Sequence, residues 1–227
     1  MGKMADQRNQ EIIQTAVAAI TEETIPCCVN YFNKSEELKE TVLKRAFSNK
    51  KNEYLEEVLV KVTLLNAFYS TQLFNNPGNY NGKRKNADIQ VMAKHIVDLA
   101  INKGLDDKMA TGDLEAVELI RQIDPNRYSS ATSFATKFCS WHNSDSFPIM
   151  DRYSKGMLYY LNRADNGLFK DFNNHQVTKT GLNDYKTFCN IHHELREYIS
   201  KRISTFSCKD IDKFLWCYGV HNKISIE

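Results

Sequence analysis

The feature that most restricts the fold is a long helical repeat of apolar residues that starts near Asn52. Apolar side chains recur there every three or four residues, at Leu55, Val58, Leu59, Val62, Leu65, Phe68 and Tyr69. That spacing places them on one face of an α-helix. The chain has only 9 glycines and 4 prolines in 227 residues, too few for the many turns of an all-β protein. We therefore expect an all-α fold in which this segment is a central core helix.

Similar repeats along the chain bring the expected total to roughly nine helices. Residues 11–20 predict a first helix, and Pro26 with the Cys27-Cys28 pair predicts a connector after it. A later helix is predicted to end at Gly104, a residue suited to the left-handed conformation that often closes a helix. We expect a single all-helical domain over residues 1–227. A division into two lobes, residues 1–50 with 163–227 and residues 52–162, is left open.

Charge and cysteine content restrict the function classes only broadly. The formal net charge of +2 permits nucleic-acid binding without arguing for it. The sequence lacks an apolar run long enough for a membrane span and a recognisable secretory signal, so we expect no membrane partner and a cytoplasmic, soluble protein.

The sequence offers no recognisable metal motif. The six cysteines include no Cys-x-x-Cys pair. The segment His192-His193-Glu194 lacks the further histidine of a zinc-protease helix, so we expect it at the surface with one ring against the core. We therefore expect no metal site and no cofactor.

A helix, a loop and a second helix between residues 130 and 161 carry the candidate chemistry. The first helix presents apolar residues on one face and Thr132, Ser133, Thr136 and Lys137 on the other. The loop Phe147-Pro148-Ile149-Met150 then leads to Asp151, which opens the second helix. Two readings of Asp151 follow from the residues alone: an N-terminal helix cap, which is the commonest task of such an aspartate, or an acid presented in a cleft.

The stretch from Arg127 to Leu161 resembles the helix-hairpin-helix (HhH-GPD) DNA glycosylase superfamily, most closely its adenine-glycosylase branch. The loop Phe147 to Asp151 matches the family pattern F-P-I-x-D, and Ala135 lies sixteen residues before Asp151, as in that branch. The resemblance implies an orthogonal multi-helix bundle with a cleft between two helical halves. It also implies that Asp151 stabilises the cationic sugar formed as a base leaves an extruded nucleotide, or helps to activate the nucleophile.

The sequence departs from the family at several places. The hairpin pattern L-P-G-x-G is replaced by residues 127–131, which contain neither glycine, so a grip on DNA phosphate there needs another loop geometry. Ser133 stands where strand-cleaving members carry a nucleophilic lysine, which implies a monofunctional hydrolase if the protein is active. The iron–sulfur cysteines of many adenine glycosylases are also missing.

The resulting hypothesis is a DNA-binding, base-excision-type glycosylase that hydrolyses an N-glycosidic bond with Asp151 as its catalytic carboxylate. The alternative is a catalytically degenerate module of the same fold that binds nucleic acid or a protein partner. The cleft candidates are Ser133, Lys137 and Tyr128. The candidates for DNA contact are Lys83, Arg84, Lys85, Arg127, Ser129, Ser130 and Arg152.

Overall fold

The computed structural model describes residues 2–69, 71, 73, 88–123, 131–164 and 177–226. Over these ranges the chain forms eleven α-helices and one short 3-10 helix, and no strand occurs among them. The expected all-α class is therefore confirmed. None of the described helices has the length and apolar character that crossing a membrane would require.

The helices are numbered in chain order. They are α1 (Gly2–Ala18), α2 (Thr24–Ser35), α3 (Glu37–Ala46), α4 (Leu55–Tyr69), α5 (Ile89–Lys103), α6 (Leu105–Thr111), α7 (Glu115–Arg121), α8 (Thr132–His142), α9 (Arg152–Asn162), the 3-10 helix (Gly181–Asn183), α10 (Tyr185–Arg202) and α11 (Cys208–His221).

The chain divides into two compact units. The terminal unit consists of Met1–Ser35 with Met150–Glu227, and the central unit consists of Glu36–Ile149. These divisions fall near residues 35 and 149, whereas the lobes considered from the sequence divide near residues 50 and 162. The loop Phe147 to Asp151 therefore runs across a division, with Asp151 in the terminal unit.

The central unit is built on α4, as the apolar repeat predicts. Val58, Val62 and Leu65 of that helix are fully buried, and α4 packs against α3, α5 and α8. Helix α5 ends at Gly104 in the left-handed conformation with φ +62°, so the predicted glycine stop is confirmed. Helix α7 packs on α8 and completes the described part of this unit.

Helix α8 differs from the amphipathic helix that its sequence predicts. Thr136 and Lys137 lie on the face expected to be polar, yet both are buried, and Lys137 is only 5% exposed. The reason is that α4 and α7 both pack against α8, so more than one of its faces is covered. Lys137 is accommodated by donating to Ser133 Oγ at 2.6 Å, and its Nζ lies 5.7 Å from the ring centroid of Tyr69.

In the terminal unit, α9 packs against α1, α10 and α11, and α2 packs against α11. Gly156 in α9 allows the C-terminal segment to lie directly on the helix, since a Cβ there would stand 2.6 Å from Ser225 Cα. The same segment donates from Ile226 N to Arg152 O at 3.1 Å. These contacts fix the first turn of α9, the turn that Asp151 precedes.

The prediction of a connector at Pro26 and Cys27-Cys28 is wrong, because these residues lie in the first turns of α2. Proline is tolerated there since the N–H groups of a first helical turn have no partner within the helix. The proline thus marks the beginning of a helix rather than a break.

Candidate functional site

Asp151 is the N-cap of α9. Its Oδ1 accepts hydrogen bonds from the backbone N–H groups of Tyr153 and Ser154, both at 2.9 Å. In return, Ser154 Oγ accepts a bond from Asp151 N at 2.9 Å, which completes a capping box. Phe147, at the start of the loop, is fully buried in the central unit. Asp151 is therefore a half-buried carboxylate held by the backbone of the helix it begins.

Two basic side chains of α9 lie close to Asp151 in sequence. Arg152 is exposed, and its guanidinium stacks on Tyr153 at 4.6 Å from the ring centroid and donates to Tyr153 Oη at 2.6 Å. Lys155 donates to Asn183 Oδ1 at 2.9 Å. Burial lowers the pKa of Lys155, while the negative charge of Asp151 acts in the opposite direction.

The other predicted site residues fall into two groups. Ser133 and Lys137 are joined by their hydrogen bond in the first turns of α8, within the central unit. Tyr128 and six of the seven DNA-contact candidates lie outside the described residues. Those six are Lys83, Arg84, Lys85, Arg127, Ser129 and Ser130.

A buried network around Lys61 is a feature that the sequence does not predict. Lys61 is 1% exposed, and its Nζ donates to Asn49 O at 2.8 Å, Lys51 O at 2.9 Å and Asn52 Oδ1 at 2.9 Å. Asn52 in turn donates to both oxygens of Asp106 in α6. This network ties the segment between α3 and α4 to the rest of the central unit.

The Lys61 network also affects a neighbouring histidine. Asn52 Nδ2 lies 3.4 Å from His142 Nε2, so the imidazole stands at the edge of the network. Burial, with the charges of Lys61 and Lys50, holds the pKa of His142 well below its ordinary value. The histidine is therefore neutral at physiological pH.

A second cluster that the sequence does not predict lies in the terminal unit. His192 of α10 and Cys208 and Asp212 of α11 are buried, and their ligand-type atoms all lie within 4.8 Å of one another. The expectation of one ring against the core fits the structure, because His192 is only 2% exposed while His193 and Glu194 are exposed. The sequence signal for this cluster is Cys208 four residues before Asp212, a spacing that places both on one face of a helix.

The sequence of this all-α protein matches the HI_0787_N family, which is described as an N-terminal domain. That family matches residues 15–146, which is more than half of the chain, and the protein belongs to it. A protein of Haemophilus influenzae, described as uncharacterized, is 30% identical over 170 residues, covering 73% of this chain and 68% of the relative. No solved structure matches the chain. Asp151 and the His192 cluster both lie beyond the family match.

Proposed function

We propose that the protein is a DNA-binding, base-excision-type glycosylase that hydrolyses an N-glycosidic bond, with Asp151 as the catalytic carboxylate. The main support for this proposal is the fixed position of the Asp151 carboxylate at the end of the loop Phe147 to Asp151. Oδ1 is held by two backbone N–H groups of α9, and the capping box does not use Oδ2. A charged group held in place before the reaction needs little reorganisation as charge develops on the substrate.

The chemistry required of Asp151 follows from the bond to be broken. When the bond between the sugar C1′ and the base nitrogen breaks, its electron pair leaves with the base and the sugar becomes cationic. In the proposed reaction Asp151 stabilises this cation, and the oxygen of a water molecule then bonds to C1′ while the water gives a proton to the carboxylate. The carboxylic acid passes that proton to the departed base anion, which restores the Asp151 carboxylate. Reaching C1′ requires the nucleotide to be extruded from the duplex. Because Ser133 stands where the strand-cleaving members of the glycosylase superfamily that the chain resembles carry a nucleophilic lysine, no covalent intermediate is proposed.

The proposed DNA contacts are cationic and polar side chains suited to phosphate oxygens. Arg152 begins α9 beside Asp151, and its exposed guanidinium can bind a phosphate on the strand that carries the target nucleotide. Lys83, Arg84, Lys85, Arg127, Ser129 and Ser130 complete the proposed set. Such contacts release counterions, so affinity for a duplex should fall steeply as salt concentration increases.

The test is base release from a panel of duplex oligonucleotides that each carry one damaged or mismatched base. Asparagine caps a helix about as well as aspartate, so Asp151→Asn removes the charge and keeps the fold. We expect Asp151→Asn to lower base release roughly a hundredfold or more. The matched control is Asp184→Asn, because Asp184 caps α10 through the same kind of bond, to Thr187 N at 2.8 Å. Asp184→Asn should act like wild type, and an active Asp151→Asn would contradict the role of Asp151.

The second candidate function is a helical module that binds nucleic acid or a protein without catalysis. The capping box favours it, since capping by itself accounts for an aspartate at this position. Salt-dependent duplex binding by wild type, with no base release from any duplex in the panel, would support a nucleic-acid-binding module. Absence of duplex binding at low salt would contradict both DNA functions.

A further inference from the structure

Two helices of the terminal unit place three different metal-binding side chain types together. His192 lies in the middle of α10, Cys208 is the first residue of α11, and Asp212 follows one turn later on the same face. Helices α10 and α11 pack against each other, which brings the imidazole to the thiol and the carboxylate. The cluster also stands at the positive end of the α11 dipole, where a thiolate and a carboxylate are favoured.

The burial of these groups is nearly complete, and the Nε2 atom of His192 has no hydrogen-bond partner among the described residues. His192 and Cys208 are each 2% exposed, and Asp212 is 6% exposed. Buried polar atoms in proteins almost always have a hydrogen-bond partner. For His192 Nε2, however, none is found among the described residues. Asp212 Oδ1 lies 3.2 Å from Nε2, but the direction of approach does not meet the geometry of a hydrogen bond.

A short contact without hydrogen-bond alignment is compatible with two ligands that face a common ion rather than each other. In a tetrahedral zinc site, bonds of about 2.0 to 2.3 Å set adjacent N, O and S ligand atoms roughly 3.3 to 3.6 Å apart. The 3.2 Å between Nε2 and Oδ1 agrees with that separation. No pair of ligand atoms in the cluster is more than 4.8 Å apart, so binding an ion needs at most a small movement of the side chains. We propose that His192, Cys208 and Asp212 bind a zinc ion.

The donor set favours zinc over magnesium and calcium. One thiolate, one imidazole and one carboxylate are the nitrogen, sulfur and oxygen ligands that zinc accepts together. Magnesium and calcium require shells rich in oxygen, and this cluster supplies a single carboxylate. Three protein ligands leave the fourth position of a tetrahedral ion for water or another donor. The site is independent of the proposed glycosylase function, because it uses neither Asp151 nor DNA.

The test uses the full-length protein, freed of metal with a chelator and then titrated with Co²⁺, whose absorption reports the ligands. We expect one Co²⁺ per chain, a near-ultraviolet charge-transfer band from the cobalt–thiolate bond, and visible bands of four-coordinate intensity. Zn²⁺ should remove these bands by displacing the cobalt. Cys208→Ser should abolish the charge-transfer band, and His192→Ala and Asp212→Asn should each weaken Co²⁺ binding at least tenfold.

Three control variants separate this site from other thiols and imidazoles. Cys27→Ser removes an exposed thiol, Cys217→Ser removes a buried thiol in the same helix as Cys208, and His193→Ala removes the exposed neighbour of His192. All three should keep the wild-type spectrum and affinity. A wild-type protein without a cobalt–thiolate band would overturn the proposal, as would an unchanged band in Cys208→Ser. If circular dichroism shows that Cys208→Ser is unfolded, the near-isosteric variant Asp212→Asn is used as the test instead. Co²⁺ affinity in Asp212→Asn equal to that of wild type would then overturn the proposal.

Discussion

Two buried polar clusters among the described residues, one around Lys61 and one around His192, differ in how their hydrogen-bonding groups are satisfied. In the central unit, the three N–H donors of the Lys61 ammonium meet three oxygen acceptors at 2.8 to 2.9 Å. In the terminal unit, His192 Nε2 finds no aligned acceptor in the described parts of the chain, although a carboxylate oxygen is 3.2 Å away. Burial is similar in the two clusters. The Lys61 network and the His192 cluster therefore differ in whether the buried nitrogen has its hydrogen bonds, and not in how deeply it is buried.

The largest expected effect is the loss of stability on replacing Lys61. Lys61→Met leaves Asn49 O, Lys51 O and Asn52 Oδ1 without their buried donor, so we expect a loss of roughly 3–5 kcal/mol. The measurement is denaturant unfolding followed by tryptophan fluorescence in a Trp216→Phe background, where Trp141 reports the central unit. Lys51→Met is the control, since the Lys51 side chain is exposed and its carbonyl remains in place. A loss below about 1 kcal/mol would show that the Lys61 network does not hold the central unit together.

The second largest expected effect is a pH dependence of folding stability that is caused by the titration of Lys61. Burial lowers the pKa of Lys61 from 10.5 to about 8, against the opposing charges of Asp106 and Glu57. Between pH 8 and pH 10.5 the unfolded chain binds more protons at Lys61 than the folded chain does. The free energy of unfolding therefore increases with pH across this range. The full rise is on the order of 3 kcal/mol, at about 1.4 kcal/mol for each pKa unit.

This rise is isolated by subtracting the stability of Lys61→Met from that of wild type at each pH. The difference should stay level below pH 8 and increase up to pH 10.5. Parallel pH profiles for the two proteins would mean that Lys61 is not the group responsible.

The smallest expected effect concerns Asp151. Its Oδ1 accepts two backbone hydrogen bonds, so this atom is satisfied as the Lys61 ammonium is. Asp151→Ala removes the cap of α9 and should destabilise the terminal unit by about 1 kcal/mol, while Asp151→Asn should stay within about 0.5 kcal/mol of wild type. The measurement is the same unfolding experiment in a Trp141→Phe background, where Trp216 reports the terminal unit. If both variants lose the same stability, the negative charge rather than the cap geometry stabilises this helix end.

The parts of this fold that sequence predicts are those set by local spacing. Three predictions of this kind depend only on residues within one or two helical turns. They are the apolar repeat of α4, the glycine that ends α5 and the interpretation of Asp151 as an N-cap. Pro26 misleads because a proline in a first helical turn and a proline in a connector look alike without the following helix.

Both buried clusters escape prediction for a different reason, which is their dependence on packing between helices. A lysine within an apolar repeat is expected to be solvated, and only the carbonyl groups of the segment before α4 show why Lys61 is buried. His192 is separated from Cys208 by the end of α10 and the turn into α11, so their meeting depends on how the two helices pack. Spacing along the chain cannot supply that geometry.

The most direct test of the contrast is the thermal unfolding of three proteins with Zn²⁺ and with a chelator. A ligand that binds only the folded state raises its stability, so an open site and a satisfied network should respond differently. Unfolding of the terminal unit is followed through Trp216 in the Trp141→Phe background. We predict that Zn²⁺ raises the unfolding temperature of wild type and of Lys61→Met by the same amount. The unfolding temperature of Cys208→Ser should not change with Zn²⁺. A zinc-induced increase in Cys208→Ser equal to that of wild type, or no increase in wild type, would contradict the account.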